Sequence, residues 1–213
     1  TYPNFIVQYI TGGKLPVKSC PHLEAIRRGF KTLKIKRSCN LFISKSFGEF
    51  ISKNLNQFED VSLLIGWSSA TLEAILPAQK TGQKVIIERG SSHITEQSII
   101  LRDAYSEFNL EFVETESEMM EREEAEYELA DKICVPSLLA ARSFYNRGFN
   151  ESKIIINPLA VGDYWFKGNP IIKVKNDRPR IIFAGGVGIR KGVPWLLRAF
   201  HKLSKKADLY LYG

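Results

Sequence analysis

Short apolar runs alternate along the chain with longer amphipathic segments. Runs such as 61–65 and 133–135 are typical of buried strands, whereas segment 69–80 repeats its apolar residues at helical spacing. Strands that alternate with helices indicate right-handed crossovers and a parallel sheet with both faces covered. The pattern therefore predicts an α/β fold. The strands are expected at 5–10, 61–65, 85–87, 133–135 and 154–156, and the helices at 46–56, 69–80, about 94–108, about 116–130 and from Ser137 to near Gly148.

Residues 157–179 interrupt this alternation. They hold Asn, Asp, Gly and Pro at irregular spacing, as interdomain linkers do. The alternation then restarts with a strand at 181–184, a helix at 191–204 and a strand at 208–212. Because one βαβ unit of about 30 residues cannot bury both faces of a sheet, we expect the chain to stop within a second α/β domain. The expected organisation is a first domain over 1–157, a linker over 158–179 and the start of a second domain over 180–213.

A glycine-rich turn follows the strand at 181–184 and leads into the next helix. Two adjacent cations, Arg190 and Lys191, lie between the turn and the helix. Glycines let the backbone approach a bulky anion, and the helix N-terminus and the cations supply positive potential. The turn is thus a candidate phosphate site, although an ordinary strand–turn–helix with solvated cations gives the same pattern. The glycines are Gly185, Gly186, Gly188 and Gly192.

The spacing of these glycines argues against two common nucleotide-binding loops. Gly186, Gly188 and Gly192 are spaced G-x-G-x-x-x-G, one residue longer than the dinucleotide fingerprint. A P-loop ends in Gly-Lys-Ser/Thr, but here Lys191 precedes Gly192. Neither an NAD-dependent enzyme nor a P-loop ATPase is favoured.

The composition fits a folded protein of a reducing compartment. With 44% hydrophobic and 11% aromatic residues among 213, the chain can bury a core. No apolar run approaches the about 20 residues that span a bilayer, and the sequence does not begin with a secretory signal. Its three cysteines, Cys20, Cys39 and Cys134, are odd in number and too far apart for a disulfide framework or a metal site. We therefore expect a cytoplasmic protein without a bound metal.

Charge is distributed unevenly along the chain. Residues 1–57 hold ten Lys and Arg against two Glu, a net of +8 within a total of +7. The basic residues of 14–53, interspersed with apolar ones, suit peripheral contact with the inner face of a membrane, where each cation adds about 1 kcal/mol. A solvated basic face is the alternative. The chain carries no signature of a nucleic-acid-binding module, so nucleic acid is not an expected partner.

The stretch 111–131 is strongly acidic. A cluster of this kind can indicate a cation site, but the Asp-Gly residues of a calcium-binding loop are missing from it. We interpret it as the solvated face of a helix.

Three segments together resemble the family 4 glycosyltransferases. Residues 131–166, DKICVPSLLAARSFYNRGFNESKIIINPLAVGDYWF, are similar to the family's interdomain passage, and residues 180–200, RIIFAGGVGIRKGVPWLLRAF, to the opening of its nucleotide-sugar domain. Residues 60–97 are similar to the centre of its acceptor domain. The resemblance implies the GT-B fold of two Rossmann-like domains. It also implies transfer of a sugar from a nucleotide-diphosphate sugar to a saccharide or lipid-linked acceptor, usually with retention and with no obligatory metal or other cofactor.

The resemblance assigns roles on the donor side. Lys191 matches the family's phosphate-binding lysine, and Arg190 lies beside it. Fixed cations there would neutralise the charge that builds up on the departing diphosphate. The family often has Arg where this chain has Gly186, so either Arg190 supplies the second cation or the donor binds more weakly. The glutamate pair that contacts the donor in the family would lie beyond Gly213, and residues 1–213 alone are therefore expected to be inactive or nearly so.

The resemblance also suggests residues on the acceptor side. His93 falls at the position of the family's active-site histidine, which faces the donor sugar; a histidine at a helix entry with no catalytic role is the alternative. Glu88 and Arg89 follow the strand at 85–87, where they can line the acceptor cleft or form a structural ion pair. Trp67 ends another strand on the same edge and can line the cleft or lie in the core.

Two other classes of function remain open at this point. An epimerase-type GT-B protein would act on a nucleotide sugar without an acceptor. A non-catalytic α/β module would bind a membrane surface or an anionic partner through the basic residues of 14–53.

Overall fold

The computed structural model describes residues 18–33, 39–58, 61–163, 167–168 and 178–213. The chain divides into two compact units, of which the first comprises Thr1–Ile94 and Thr115–Pro158 and the second Thr95–Glu114 and Leu159–Gly213. The elements of the first unit are α1 (Pro21–Thr32), α2 (Asn40–Asn54), β1 (Leu63–Trp67), α3 (Leu72–Lys80), β2 (Lys84–Glu88), α5 (Ser117–Leu129), β3 (Lys132–Val135), α6 (Leu138–Tyr145) and β4 (Ile154–Ile156). Those of the second unit are α4 (Ile94–Glu107, whose first residue belongs to the first unit), β5 (Arg180–Ala184), α7 (Val193–His201) and β6 (Asp208–Tyr212).

The first unit contains a parallel sheet of four strands in the order β1-β2-β3-β4. Leu64 lies opposite Val85, and Ile133 lies opposite both Ile87 and Ile154. The predicted α/β fold with a parallel sheet is therefore confirmed. The strand bounds agree within two residues, with the largest difference at β1, and the strand expected at 5–10 lies outside the described residues.

The core of the first unit lies on one face of this sheet. Val85, Ile87, Ile133 and Val135 are almost fully buried against apolar residues of α3, α5 and α6. On the opposite face of β1, Ile65 and Trp67 are each 58% exposed. A sheet covered on both faces was expected from the sequence, but the described helices α3, α5 and α6 all pack on one face. The reason is the consecutive strand order, because crossovers of one hand between successive neighbours stay on the same side.

Local sequence explains where several helices begin and end. The Ser137 hydroxyl accepts a hydrogen bond from the backbone N–H of Ala140 at 3.2 Å, so it caps α6 as expected. Gly148 follows the end of α6 with a φ of +87°, which glycine adopts readily. Helix α1 was not expected from the sequence. It is held in part by Glu24, which accepts hydrogen bonds from Arg27 and Arg28 at 2.7 and 2.8 Å.

The second unit pairs β5 with β6 in parallel, joined by α7. Helix α7 begins at Val193 rather than at 191, because Gly192 takes a left-handed φ of +75° between a 3₁₀ turn at Ile189–Lys191 and the helix. Residues 95–114 belong to this unit, although the sequence places them in a first domain over 1–157. The end of α4 and the residue after it contact α7, with the Phe108 and Trp195 rings 4.9 Å apart and Glu107 bonded to Arg198 at 2.6 Å.

Gly66 of β1 gives a test of how tightly the first unit is packed. A Cβ at this position would overlap the side chain of Thr71, which is itself fully buried. We expect Gly66→Ala to lower the free energy of unfolding by about 1–3 kcal/mol, the usual cost of overpacking, as measured by urea denaturation. Gly29→Ala in α1 is the control, because its Cβ would meet nothing within 4 Å and alanine favours a helix by about 1 kcal/mol. Equal stability of the two variants would contradict the packing described here.

Candidate functional site

The glycine-rich turn between β5 and α7 has a defined backbone shape. Gly185 has a φ of +140°, and its N–H donates to the carbonyl of Tyr212 at 2.8 Å. The 3₁₀ turn that follows is anchored by Ile189, which is buried, and closes at Gly192, whose N–H donates to the Ile189 carbonyl at 2.8 Å. The second left-handed glycine therefore ends the turn where α7 begins.

Arg190 and Lys191 lie within this 3₁₀ turn, next to the N-terminus of α7. Both side chains are exposed to solvent. Gly186 and Gly188 carry no side chain that could cover the approach to them, and a Cβ at either position would meet nothing within 4 Å. The turn thus presents two adjacent positive charges and open backbone, an arrangement that can hold an anion such as a phosphate.

His93 lies in the core of the first unit. His93 is only 3% exposed. The centroid of its ring is 5.0 Å from that of Phe144, 5.2 Å from that of Tyr127 and 5.9 Å from that of Phe149. The backbone N–H of His93 donates to the Ser143 hydroxyl at 2.8 Å. The resemblance implies an imidazole that faces the donor sugar. In the structure the imidazole is instead turned away from solvent, because aromatic side chains surround it. Its role as a catalytic residue stays a prediction.

Trp67, Glu88 and Arg89 lie where β1 and β2 end. Trp67 is opposite Glu88 in the sheet register, and its indole packs beside Gly90, where a Cβ would come within 3.1 Å of the ring. Arg89 forms an ion pair with Glu123 of α5 at 2.7 Å, and its side chain is only 11% exposed. Whether Glu88 lines the acceptor cleft or pairs with Arg89 stays a prediction. Of these three residues, Trp67 is the most exposed, at 58%.

Buried charges lie on α5 beneath these strand ends. Arg122, Glu123 and Glu126 are buried, so the interpretation of the acidic stretch 111–131 as a solvated helix face is wrong for two of its glutamates. The Tyr127 hydroxyl donates to Glu123 at 2.5 Å, and burial together with the charge of Glu123 raises the pKa of Tyr127 above its ordinary value. Among the described residues, no group of three or more His, Cys, Asp or Glu could hold a metal ion.

Arg122 connects three segments of the first unit. Its Nε donates to the carbonyl of Ser69 at 2.6 Å, and its Nη1 donates to Glu73 of α3 at 2.6 Å. Gly48 of α2 makes room for this ion pair, because a Cβ there would overlap the Glu73 carboxylate. The pair therefore fixes α2, α3 and α5 against one another.

Glu126 fills the N-terminus of α3. Its carboxylate accepts hydrogen bonds from the backbone N–H groups of Ser69, Thr71 and Leu72 at 2.5, 2.8 and 2.9 Å. Burial raises the pKa of Glu126 to about 7, although the three N–H groups and the charge of Arg122 act to lower it. The carboxyl group thus takes up a proton near neutral pH.

Sequence reasoning missed Arg122, Glu123 and Glu126 as structural residues. One signal could have found them. On a helix of 3.6 residues per turn, positions 119, 122, 123, 126, 127 and 130 share a face, and Met119, Tyr127 and Ala130 are its buried apolar members. Charged residues on that face must be buried with partners.

The first unit also contains an apolar groove between α1, α2 and the start of α5, with a volume of about 680 Å³. Phe42 lies in this groove and is more than half exposed, and Leu33, which follows α1, is 73% exposed. None of the helices in the described part of the chain combines the length and the apolarity that crossing a bilayer requires. The groove is lined by Ile26, Phe30, Cys39, Leu41, Phe42, Lys45, Glu116 and Glu118.

Comparisons with known proteins find similarity in structure only. No protein-family model and no curated protein matches the chain. The S. aureus MnaA–UDP co-structure is similar at 13% identity and a TM-score of 0.42, covering 79% of this chain and 43% of that one. A Listeria monocytogenes protein provisionally assigned as a UDP-N-acetylglucosamine 2-epimerase is similar at 12% identity and a TM-score of 0.42, covering 88% and 51%. The chain spans about half the length of these structures, and the α/β assignment rests on its own strand order and register.

The raised pKa of Glu126 predicts how stability depends on pH. The folded protein holds this proton up to a pH of about 7, whereas the unfolded chain loses it near the ordinary value of 4.5. The resulting stabilisation is complete below about pH 4.5 and is lost as the pH rises to about 7, by up to about 1.4 kcal/mol per pH unit. Urea denaturation at a series of pH values should show this fall in the free energy of unfolding.

The matched variants separate Glu126 from the other titrating groups. Glu126→Gln does not titrate and should lack this part of the fall, whereas Glu121→Gln, an exposed position on the same helix, should retain it. Parallel curves for the wild type and Glu126→Gln would show that the carboxyl group has an ordinary pKa.

Proposed function

We propose that the protein is a GT-B glycosyltransferase that moves a sugar from a nucleotide-diphosphate sugar to a saccharide or lipid-linked acceptor, with retention at the anomeric carbon. The observation that carries this proposal is the turn between β5 and α7. It brings Arg190 and Lys191, both exposed, together beside open glycine backbone at the carboxyl end of a parallel strand, where α/β folds bind their ligands. The resemblance of 131–166 and 180–200 to family 4 motifs supports the same proposal.

The two cations have a specific task in this reaction. As the bond between the sugar and the diphosphate breaks, negative charge builds up on the leaving diphosphate, and fixed positive groups stabilise that charge in the transition state. Arg190 can bind two phosphate oxygens at once, and Lys191 acts as a point charge. Arg190 thereby takes the place of the arginine that the family often has at Gly186. Neutralisation of the leaving diphosphate by these two cations does not require a metal ion.

On the acceptor side, Trp67 is the residue that the proposal places against a sugar. An exposed indole offers a flat apolar face with a polar edge, and Trp67 lies at the carboxyl end of β1. Arg89 holds the turn after β2 through Glu123 and the Ser92 carbonyl, rather than contacting the acceptor. A catalytic role for His93 would require the ring to leave the aromatic cluster that now surrounds it.

Substitution of the two cations tests the donor site. We expect Arg190→Ala and Lys191→Ala each to weaken the binding of a nucleoside diphosphate about tenfold or more, because a charge-assisted hydrogen bond contributes about 1.5–3 kcal/mol. Isothermal titration calorimetry with UDP, GDP and ADP measures the effect. Lys205→Ala also removes an exposed charge from the same unit and should leave affinity unchanged. An equal loss of affinity in all three variants would mean that only the net charge matters, and it would contradict a specific site.

The reaction itself distinguishes transfer from epimerisation. Full-length protein should consume a nucleotide sugar only when an acceptor is present, and mass spectrometry should then detect the glycosylated acceptor. Conversion of the nucleotide sugar without any acceptor would favour the epimerase-type alternative. Absence of nucleotide binding in the wild type would contradict both the glycosyltransferase and the epimerase-type function.

A second candidate function is binding to a membrane surface. It is favoured by the apolar groove of the first unit, in which Phe42 is exposed and Lys45 is among the lining residues, and by the exposed Leu33 that follows α1. Apolar side chains that enter the acyl boundary and cations that face anionic headgroups together hold proteins at membranes. Such contact is also compatible with a glycosyltransferase that uses a lipid-linked acceptor.

Vesicle binding tests this second function. We expect Phe42→Ser to lower the affinity for vesicles of phosphatidylglycerol and phosphatidylcholine about tenfold, because burying a Phe side chain contributes about 1.5–3 kcal/mol. Co-sedimentation measures the bound fraction. Leu139→Ser, at an exposed apolar position on α6 outside the groove, is the control. Unchanged binding of Phe42→Ser, or an equal loss in both variants, would rule the groove out as the contact.

A further inference from the structure

We propose that the turn Ser68–Thr71 and the N-terminus of α3 form an anion-binding cradle that the protein fills with its own Glu126 carboxylate. When this side chain is removed, a small carboxylate such as acetate binds in its place. The inference does not depend on the proposed function.

The occupant of the cradle is seen in the structure. Glu126 reaches the cradle from α5, and its two carboxylate oxygens accept three backbone N–H groups at 2.5 to 2.9 Å. The residue is 0% exposed, so water does not share these donors as it would at a surface cap. The carboxylate is thus bound as a ligand is bound, through both of its oxygens by fixed protein groups.

The donors are held in place by contacts that do not involve Glu126. Ser69 takes a left-handed φ of +75°, and Arg122 binds its carbonyl at 2.6 Å. The Thr71 hydroxyl donates to the carbonyl of Trp67 at 3.0 Å, in the space that Gly66 leaves free. Successive N–H groups that converge around a left-handed residue are a known anion-binding form of the backbone. The cradle should therefore persist when its occupant is removed.

The size and charge of the vacated space define the ligand class. Glu126→Ala removes a CH₂ group and a carboxylate, which together have the size of acetate, and Glu126→Gly removes one further carbon, which corresponds to propionate. The partial positive charge of the α3 N-terminus and the charge of Arg122 act in favour of an anion, whereas burial acts against it and raises the pKa of Glu126. A tetrahedral phosphate is larger than the group removed. The cradle is therefore not a phosphate site, and the proposed function places the donor diphosphate in the second unit.

Chemical rescue tests the cradle. Thermal unfolding of Glu126→Ala is followed by circular dichroism at about pH 8, one unit above the Glu126 pKa of about 7, in sodium acetate and in sodium chloride of equal ionic strength. We expect acetate to raise the melting temperature above that in chloride, by an amount that grows with the logarithm of the acetate concentration. Above its dissociation constant, each tenfold increase in acetate should lower the unfolding equilibrium constant about tenfold. Acetamide, which has the same shape without the charge, should have no such effect.

Two controls make the result specific. Glu121→Ala, on the exposed side of α5, and the wild type should respond to acetate no more than to chloride. Glu126→Gly should prefer propionate over acetate, whereas Glu126→Ala should prefer acetate. If Glu126→Ala is unfolded without additive, recovery of its helical signal in acetate supports the proposal. Failure to recover, or equal responses to acetate and chloride in a folded Glu126→Ala, overturns it.

Discussion

The assembly of the first unit depends on the burial of three charged side chains of α5. Arg122, Glu123 and Glu126 leave water on folding, and an ion buried without partners costs several kcal/mol. Each of them therefore needs a particular partner: Glu73 for Arg122, Arg89 for Glu123, and the N-terminus of α3 for Glu126. Because these partners lie on different segments, α5 has only one position in which all three are satisfied.

This requirement separates two kinds of positive charge in the protein. In the first unit, Arg89 and Arg122 are already bound by internal carboxylates, so their charge is not available to a ligand. In the second unit, Arg190 and Lys191 lie in solvent beside glycine backbone. An anionic ligand gains most where the protein has not already supplied the counter-charge, which is why the proposed donor site is in the second unit.

The regular elements could be predicted from the sequence because their signals are local. The apolar run that forms β4 and the Ser137 cap of α6 are contained in a few neighbouring residues. Strand order is not local, and the packing of α3, α5 and α6 on one face of the sheet follows from that order. Helix α1 was missed although its signal is also local, because Leu23, Ile26 and Phe30 fall at helical spacing.

The environment of the candidate site residues was harder to predict for the same reason. The partners of His93 are Tyr127, Phe144 and Phe149, which lie 34 or more positions further along the chain. Arg89 finds Glu123 across a similar separation. The glycine-rich turn, by contrast, is contiguous in the sequence. The two residues of the turn that have a positive φ, Gly185 and Gly192, are of the residue type that adopts this φ most readily.

Gly48 shows how a position without a side chain can restrict the residues around it. It lies in the middle of α2, where alanine would favour the helix, yet the space beside it is occupied by the carboxylate of Glu73 in its pair with Arg122. A larger residue at 48 would have to displace the Glu73 carboxylate, which would disturb its pairing with Arg122. In an alignment of homologues, positions 48, 73 and 122 should therefore change together, with glycine at 48 accompanying the acid–base pair.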